Sequence, residues 1–142
     1  MEITAIPFNQ LVGIKRAERD PPYLLELDDH VSLTNHLGTV HAAAQLALAE
    51  ASSGEYLLRA FKGDRRDAVA VVRTVEAKFR KPLQGRAFSK ARVDDGEIQR
   101  LAGALDAKGR GIVHVKVDIV DDHEVVAMSA DIGWFIHQRK DA

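Results

Sequence analysis

Val40-His41-Ala42-Ala43-Ala44-Gln45-Leu46-Ala47-Leu48-Ala49-Glu50-Ala51 carries only three polar side chains, His41, Gln45 and Glu50. Alanine and leucine are the best helix formers. From Val40 to Leu58 there is no proline, and the first glycine is Gly54. The stretch predicts a helix over 40–58. A helix this apolar has little solvated face, so it is predicted to be enclosed by the rest of the fold.

On the C-terminal side the hydrophobic period changes from 3.6 to 2. From Val69 to Phe79 the odd positions are mostly apolar (Val69, Val71, Val75, Ala77, Phe79, with Arg73 among them) and the even ones mixed. This predicts a strand with one mostly apolar face. Pro82 and Gly85 mark a turn, and Arg86 to Val93 reads as a further strand. Asp94-Asp95-Gly96 opens a short helix, Glu97 to Ala107, ended by Gly109. Val113, Val115, Val117 and Ile119 alternate with His114, Lys116 and Asp118, and Val126, Met128, Ala130, Ile132, Trp134 and Ile136 share the face of a last strand. Asp121-Asp122-His123-Glu124 is the hairpin turn between them. On the N-terminal side, residues 22–29 predict a short strand with Tyr23, Leu25 and Leu27 on one face, after a break at Asp20-Pro21-Pro22. Consecutive long amphipathic strands argue for an antiparallel sheet, and one buried helix ahead of them for an α+β domain with the helix on the apolar face. The long final strands leave an edge open to pairing with a second copy.

Composition narrows the chemistry. The 142 residues read as one domain, 1–142, that buries roughly 68–70% of its unfolded surface. Hydrophobic residues make up 46% and charged residues 29%. There is no cysteine, which removes disulfides, thiolate metal sites and a cysteine nucleophile. Twenty Lys and Arg against 21 Asp and Glu give a net charge of -1, without the basic excess expected of a nucleic-acid binder. Met1 to Pro7 has an early acid and no basic or long apolar region, so it does not read as a signal peptide. No run approaches the ~18 apolar residues of a membrane span. The expectation is a cytoplasmic protein with no membrane partner.

The run Asn35-His36-Leu37-Gly38-Thr39-Val40-His41-Ala42 places a glycine and polar residues at the entry of the apolar helix. The first turn of a helix has unpaired N–H groups and a partial positive charge, so a developing oxyanion can be held there. Small side chains at Ala42, Ala43 and Ala44 allow a close approach to that backbone. Glu50 is an acid in apolar surroundings, where its pKa should rise toward the range useful to a base or nucleophile. The same residues also have a plain structural reading. Asn35 and Thr39 are ordinary capping types, His41 and Gln45 can satisfy each other or the backbone, and Glu50 can pair with a surface cation. Geometry sharpens the functional reading. Ala42 and Glu50 are about 12 Å apart along one helix. If both serve one site, two copies of the helix must run antiparallel across a two-fold axis, giving a dimer with two equivalent sites.

Asn35-x-x-Gly38-x-x-His41-Ala42-Ala43, with an acid at Glu50, resembles the hotdog-fold acyl-CoA thioesterases of the phenylacetate-degradation type, whose helix opens with Asn-x-x-Gly-x-x-His-Gly-Gly. Val75-Glu76-Ala77-Lys78-Phe79-Arg80-Lys81-Pro82 is similar to that family's following strand and turn, and the resemblance spans roughly residues 22–137. The two glycines are Ala42 and Ala43 here, closer to an uncharacterised thioesterase-like branch. The resemblance implies a hotdog fold: an antiparallel sheet wrapped around one long buried helix, with a small extra helix between strands. It implies hydrolysis of an acyl-CoA or related thioester by a homodimer or dimer of dimers, with no metal and no cofactor. Carried over, Ala42 N–H would polarise the thioester carbonyl, Asn35 would orient water or the carbonyl, and Glu50 of the other copy would activate water or attack directly. His41 would position the helix start or the substrate. The acyl chain would lie along the helix between copies, and Arg80, Lys81 and Arg86 would meet the CoA phosphates. A solvated turn is the plain reading of those three cations.

Two alternatives stay open: an acyl-thioester hydratase or dehydratase, which would use His41 or His36 with an acid, and a non-catalytic acyl-CoA-binding module. Other chemistries find no motif. The spacing of His30, His36 and His41 puts them on no common helical face, as a metal set would need. Gly-x-Ser-x-Gly and phosphate-cradling glycine loops are absent. Asp94-Asp95 and Asp121-Asp122 are turn residues with too few oxygens for calcium.

Overall fold

The structure is a computed structural model that describes residues 1–61 and 67–139. A turn of 3-10 helix (Ile3–Ala5) and a short helix α1 (Pro7–Val12) precede two short strands, β1 (Lys15–Arg16) and β2 (Leu25–Leu27). The long helix α2 runs from Ala42 to Ala60. Then follow β3 (Ala68–Phe79), β4 (Ala87–Arg92), α3 (Glu97–Lys108), β5 (Arg110–Val120) and β6 (Val126–Gln138). The six strands form one antiparallel sheet in the order β1-β2-β4-β5-β6-β3. Its concave face holds α2, with α3 over one end; this is the hotdog architecture.

The core lies between sheet and helices. Val113, Val115, Val117 and Ile119 of β5 and Met128 and Ile132 of β6 are fully buried, against Leu48 and Ala49 of α2 and Leu101 and Leu105 of α3. Each large aliphatic side chain removed from water there contributes about 1.5–3 kcal/mol. A buried hydroxyl chain ties α2 to the sheet: Ser52 donates to Ser89 Oγ, which accepts the Leu25 N–H at 3.1 Å and bonds the Leu25 carbonyl at 3.2 Å. Pairing these polar groups with one another avoids the cost of burying them unsatisfied.

Three expectations need correction. First, the even alternation along β3 is broken. The register with β6 shifts between Val72 and Thr74, so Arg73 is the extra residue of a bulge. Ala70 and Val72 pair with the inward-facing Ile136 and Trp134, whereas beyond the bulge Val75, Ala77 and Phe79 pair with the inward-facing Ile132, Ala130 and Met128. An extra residue inverts the parity of a period-two pattern. Second, β2 is only three residues long, and Tyr23 does not share the face of Leu25 and Leu27. It packs with Phe88, Val120 and Ala17 in a separate cluster. Third, α2 is not enclosed by one chain. Ala42, Ala43 and Leu58 are exposed, and Leu46, Ala47 and Glu50 are half-buried, because the sheet curls round only one side of the helix. β3 lies at the edge, with Val75 48% and Phe79 45% exposed on the same concave side.

Candidate active site

The approach to α2 is built from turn chemistry. Asn35 Oδ1 accepts the N–H groups of Leu37 (2.9 Å) and Thr39 (3.1 Å), and its Nδ2 donates to Thr39 Oγ1 at 2.8 Å. This is a natural use of an Asx side chain. Gly38 takes the left-handed conformation (φ +76°) that closes the turn, which glycine adopts without a Cβ clash. The Asn-x-x-Gly-Thr spacing is therefore a loop-forming unit that delivers Val40 and His41 to a fixed place. Val40 N–H bonds the Leu83 carbonyl at 2.8 Å, and His41 N–H bonds the Leu33 carbonyl at 2.7 Å.

His41 is the N-cap: its Nδ1 accepts the Ala43 N–H at 2.9 Å. That occupies one of the free donors of the first turn and places the ring proton on Nε2. Ala44 and Gln45 N–H groups bond the His41 carbonyl. Ala42 N–H is left without a partner among the described residues, on an exposed residue at the positive end of a 19-residue helix. Neither Asn35 nor Thr39 is the cap, and the side chains of His41 and Gln45 each bond the backbone rather than one another. Gln45 is buried with Nε2 on the Val40 carbonyl (3.2 Å) and Oε1 unpartnered.

Glu50 lies two turns further along the same helix. It is half-buried, and burial alone pushes its carboxyl above the usual carboxylate range. Among the described residues it pairs with no cation. Arg59, the base of the last turn, serves Glu55 (2.9 Å) and Asp20 (2.8 Å) instead. Ala42 and Glu50 share one continuous helix, so the ~12 Å between them is fixed.

Arg80, Lys81 and Arg86 sit around the turn between β3 and β4, which Leu83 joins to the residue just before His41. Lys81 Nζ is 2.7 Å from Asp121, Arg86 is 3.3 Å from Asp122 and 3.7 Å from the buried Glu26, and Arg80 Nε donates to Ser129 Oγ at 3.0 Å. The fold thus brings together Asn35, His41, Ala42 and the cationic turn, and leaves Glu50 away from them on the same chain.

Sequence reading did not find the cavity beside Glu50. It has a volume of about 500 Å³ and lies between the N-terminal segment, the second half of α2 and the β3 edge. Two signals pointed toward it: Gly54, an isolated glycine inside a helix, and Trp134, the chain's one tryptophan. Trp134 Nε1 donates to Ser53 Oγ at 2.8 Å, which fixes its ring against Gly54. Among the described residues no group of three or more His, Asp or Glu side chains is placed to hold a metal, and no helix is long and apolar enough to cross a membrane.

Comparison with known proteins adds the following. A structure from Pseudomonas aeruginosa, a protein of unknown function called a "probable thioesterase", superposes with a TM-score of 0.80 at 23% identity, over 96% of this chain and 91% of that one. A Bacillus halodurans protein determined with CoA gives 0.71 at 16%, over 93% and 76%. A Haemophilus influenzae thioesterase gives 0.72 at 14%, over 96% and 86%. At these identities the likeness shows the shared fold. No curated protein matches the chain. The family model described as domain of unknown function DUF4442 matches residues 6–136, and the chain belongs to that family.

Proposed function

We propose that the protein hydrolyses an acyl-CoA or related thioester at two equivalent sites between two copies of the chain. The observation that carries this reading is Glu50. It is a half-buried carboxylate with no cationic partner among the described residues, on the side of α2 that one chain leaves open. The solved relatives support it, one being a thioesterase and another holding CoA.

In this reading two α2 helices pack antiparallel. Each Glu50 then meets the helix start of the other copy, where the free Ala42 N–H and the helix dipole hold the thioester carbonyl oxygen. Glu50 takes a proton from water, the hydroxide adds to the carbonyl carbon, and the oxyanion forms at Ala42 N–H. Collapse breaks the C–S bond, and the proton held by Glu50 leaves with the thiol. The covalent alternative has Glu50 add to the carbonyl first and expel the thiolate, giving a mixed anhydride; water then opens it to the free acid and the Glu50 carboxylate, and the proton released from water goes to the thiolate. Asn35 holds the loop that aims the helix start, and His41 orients that start as its cap. The cations around Pro82–Arg86, on a turn bonded to the same segment through Leu83, would meet the CoA phosphates.

The test is thiol release from short, medium, long and aromatic acyl-CoAs by the wild type and by Glu50→Ala. Loss of release with the dimer intact is the expected result. Release by Glu50→Ala at the wild-type rate overturns the role of Glu50. With an enoyl-CoA, water added across the double bond without thiol release would identify a hydratase instead. Tight binding without turnover would identify a binding module.

A further inference from the structure

The cavity beside Glu50 runs along α2 from Glu50 to Phe61, about 16 Å of helix at ~1.5 Å per residue. Among the described residues its lining side chains are apolar apart from Glu50 and Asn9, and the Asn9 amide nitrogen donates to the Ile3 carbonyl at 3.0 Å. The N-terminal segment forms one wall. Ile3 is buried over Gly54, where a Cβ would stand 3.2 Å from Ile3 Cδ1 and 3.6 Å from Trp134 Cζ2. A glycine inside a helix is less favourable than alanine. The missing side chain of Gly54 lets wall and helix close together while the space beside them stays open. Ala68 and Ala70 line the opposite side, where their small side chains leave the space unfilled.

We infer that this cavity, contained within one chain, takes an unbranched aliphatic acyl chain of medium length whose carbonyl end lies at Glu50, and that Ile3 and Gly54 set its width. An extended chain advances about 1.3 Å per carbon, so ~16 Å accommodates roughly a dozen carbons. A volume of about 500 Å³ lies within the usual range for a ligand site. The carboxylate at one end and apolar walls beyond it match the polarity of a thioester followed by an alkyl tail. This inference rests on the thioester reading of the site and adds the substrate class.

The test is equilibrium binding, so that it does not depend on turnover. S-alkyl-CoA thioethers from butyl to hexadecyl, which cannot be hydrolysed, are titrated into the wild-type protein and into Gly54→Val and Ala70→Phe. Affinity should rise about 4-fold per methylene and level off near ten to twelve carbons. Gly54→Val narrows the cavity at the Ile3 wall. It should weaken the decyl compound at least 10-fold while leaving the butyl compound within 2-fold. Ala70→Phe, on the exposed strand opposite, tests the same width without disturbing the N-terminal segment and should act in the same direction. Affinity independent of chain length, or unchanged in both variants, overturns the inference. So does a dimer that takes up no alkyl chain because the second copy's side chains occupy the cavity. Length-dependent binding without hydrolysis of any thioester would instead sink the proposed reaction and leave the cavity's assignment standing.

Discussion

Ala42 occupies the first helical position, where proline is tolerated because its fixed φ suits the helix and the N–H it lacks has no intrahelical partner. His41 before it has φ -60° and ψ 139°, the conformation a residue preceding proline prefers. Ala42→Pro therefore removes the one donor assigned to the oxyanion with little disturbance to the helix. It is expected to lower kcat by about 10²–10³-fold while the melting temperature stays near that of the wild type. An unchanged kcat would remove the backbone donor from the mechanism. Glu50 is tested by pH. Its carboxyl is raised by burial, so the charged form needed of a base appears only above the ordinary carboxylate pKa of 4.5. The acidic limb of kcat/KM should lie above that value. Because the native state binds this proton more tightly than the unfolded chain, the group's contribution to stability is full below the unfolded pKa and is lost as pH rises through the folded one. Glu50→Gln should therefore melt higher than the wild type at pH 7, and the gap should close as pH falls below 4.5. A gap that persists in acid would mean that the gain comes from packing.

At the scale of elements, most of the sheet was legible because β5 and β6 largely alternate, with buried side chains on one face, whereas Ala87, Phe88 and Ser89 of β4 are all buried. α2 was legible from its composition, and its closing residue differs by two because no glycine or proline stops it there. What period-two patterning cannot carry is a bulge, since Arg73 is an ordinary strand residue until its guanidinium is found 4.4 Å over the Phe135 ring. The loop at 35–41 was legible as turn and cap chemistry, although the cap is a histidine rather than one of the usual short polar residues. The cavity was not legible, because the N-terminal wall has no periodicity and meets α2 only through tertiary contact. The β5–β6 turn supports a prediction at this scale. Asp121 is held at a pKa of about 2, first by the Lys81 ammonium at 2.7 Å and further by the N–H groups of Val125 and His123. A depressed carboxylate stabilises above its unfolded pKa of 3.8 and loses that contribution as pH falls toward 2. Asp121→Asn should cost about 1–2 kcal/mol at pH 7, allowing for solvent screening of the lysine, and the cost should fade as pH falls through about 2. A cost independent of pH in urea titrations would show that turn geometry, rather than charge, is what Asp121 supplies.

In the whole molecule one rigid length constrains the site. A continuous helix holds Ala42 and Glu50 about 12 Å apart, too far to act on one carbonyl, yet two such helices related by a two-fold axis bring each Glu50 to the other's start. The half-covered side of α2 and the exposed apolar edge of β3 are the surfaces such a partner would cover. The arrangement can be tested with two inactive variants. A Glu50→Ala chain keeps its helix start, and an Ala42→Pro chain keeps its carboxylate. In a mixed dimer one site receives both intact groups and the other receives neither. Random exchange makes half the dimers mixed, so the mixture should recover about a quarter of wild-type thiol release per chain, because a two-fold interface gives each pairing equal weight. Each variant alone should remain at its low rate, and covalently tethered homodimers, which cannot exchange, should show no recovery when mixed. If Ala42 and Glu50 instead served one site within a single chain, every chain in the mixture would still lack one of them, and mixing would restore nothing.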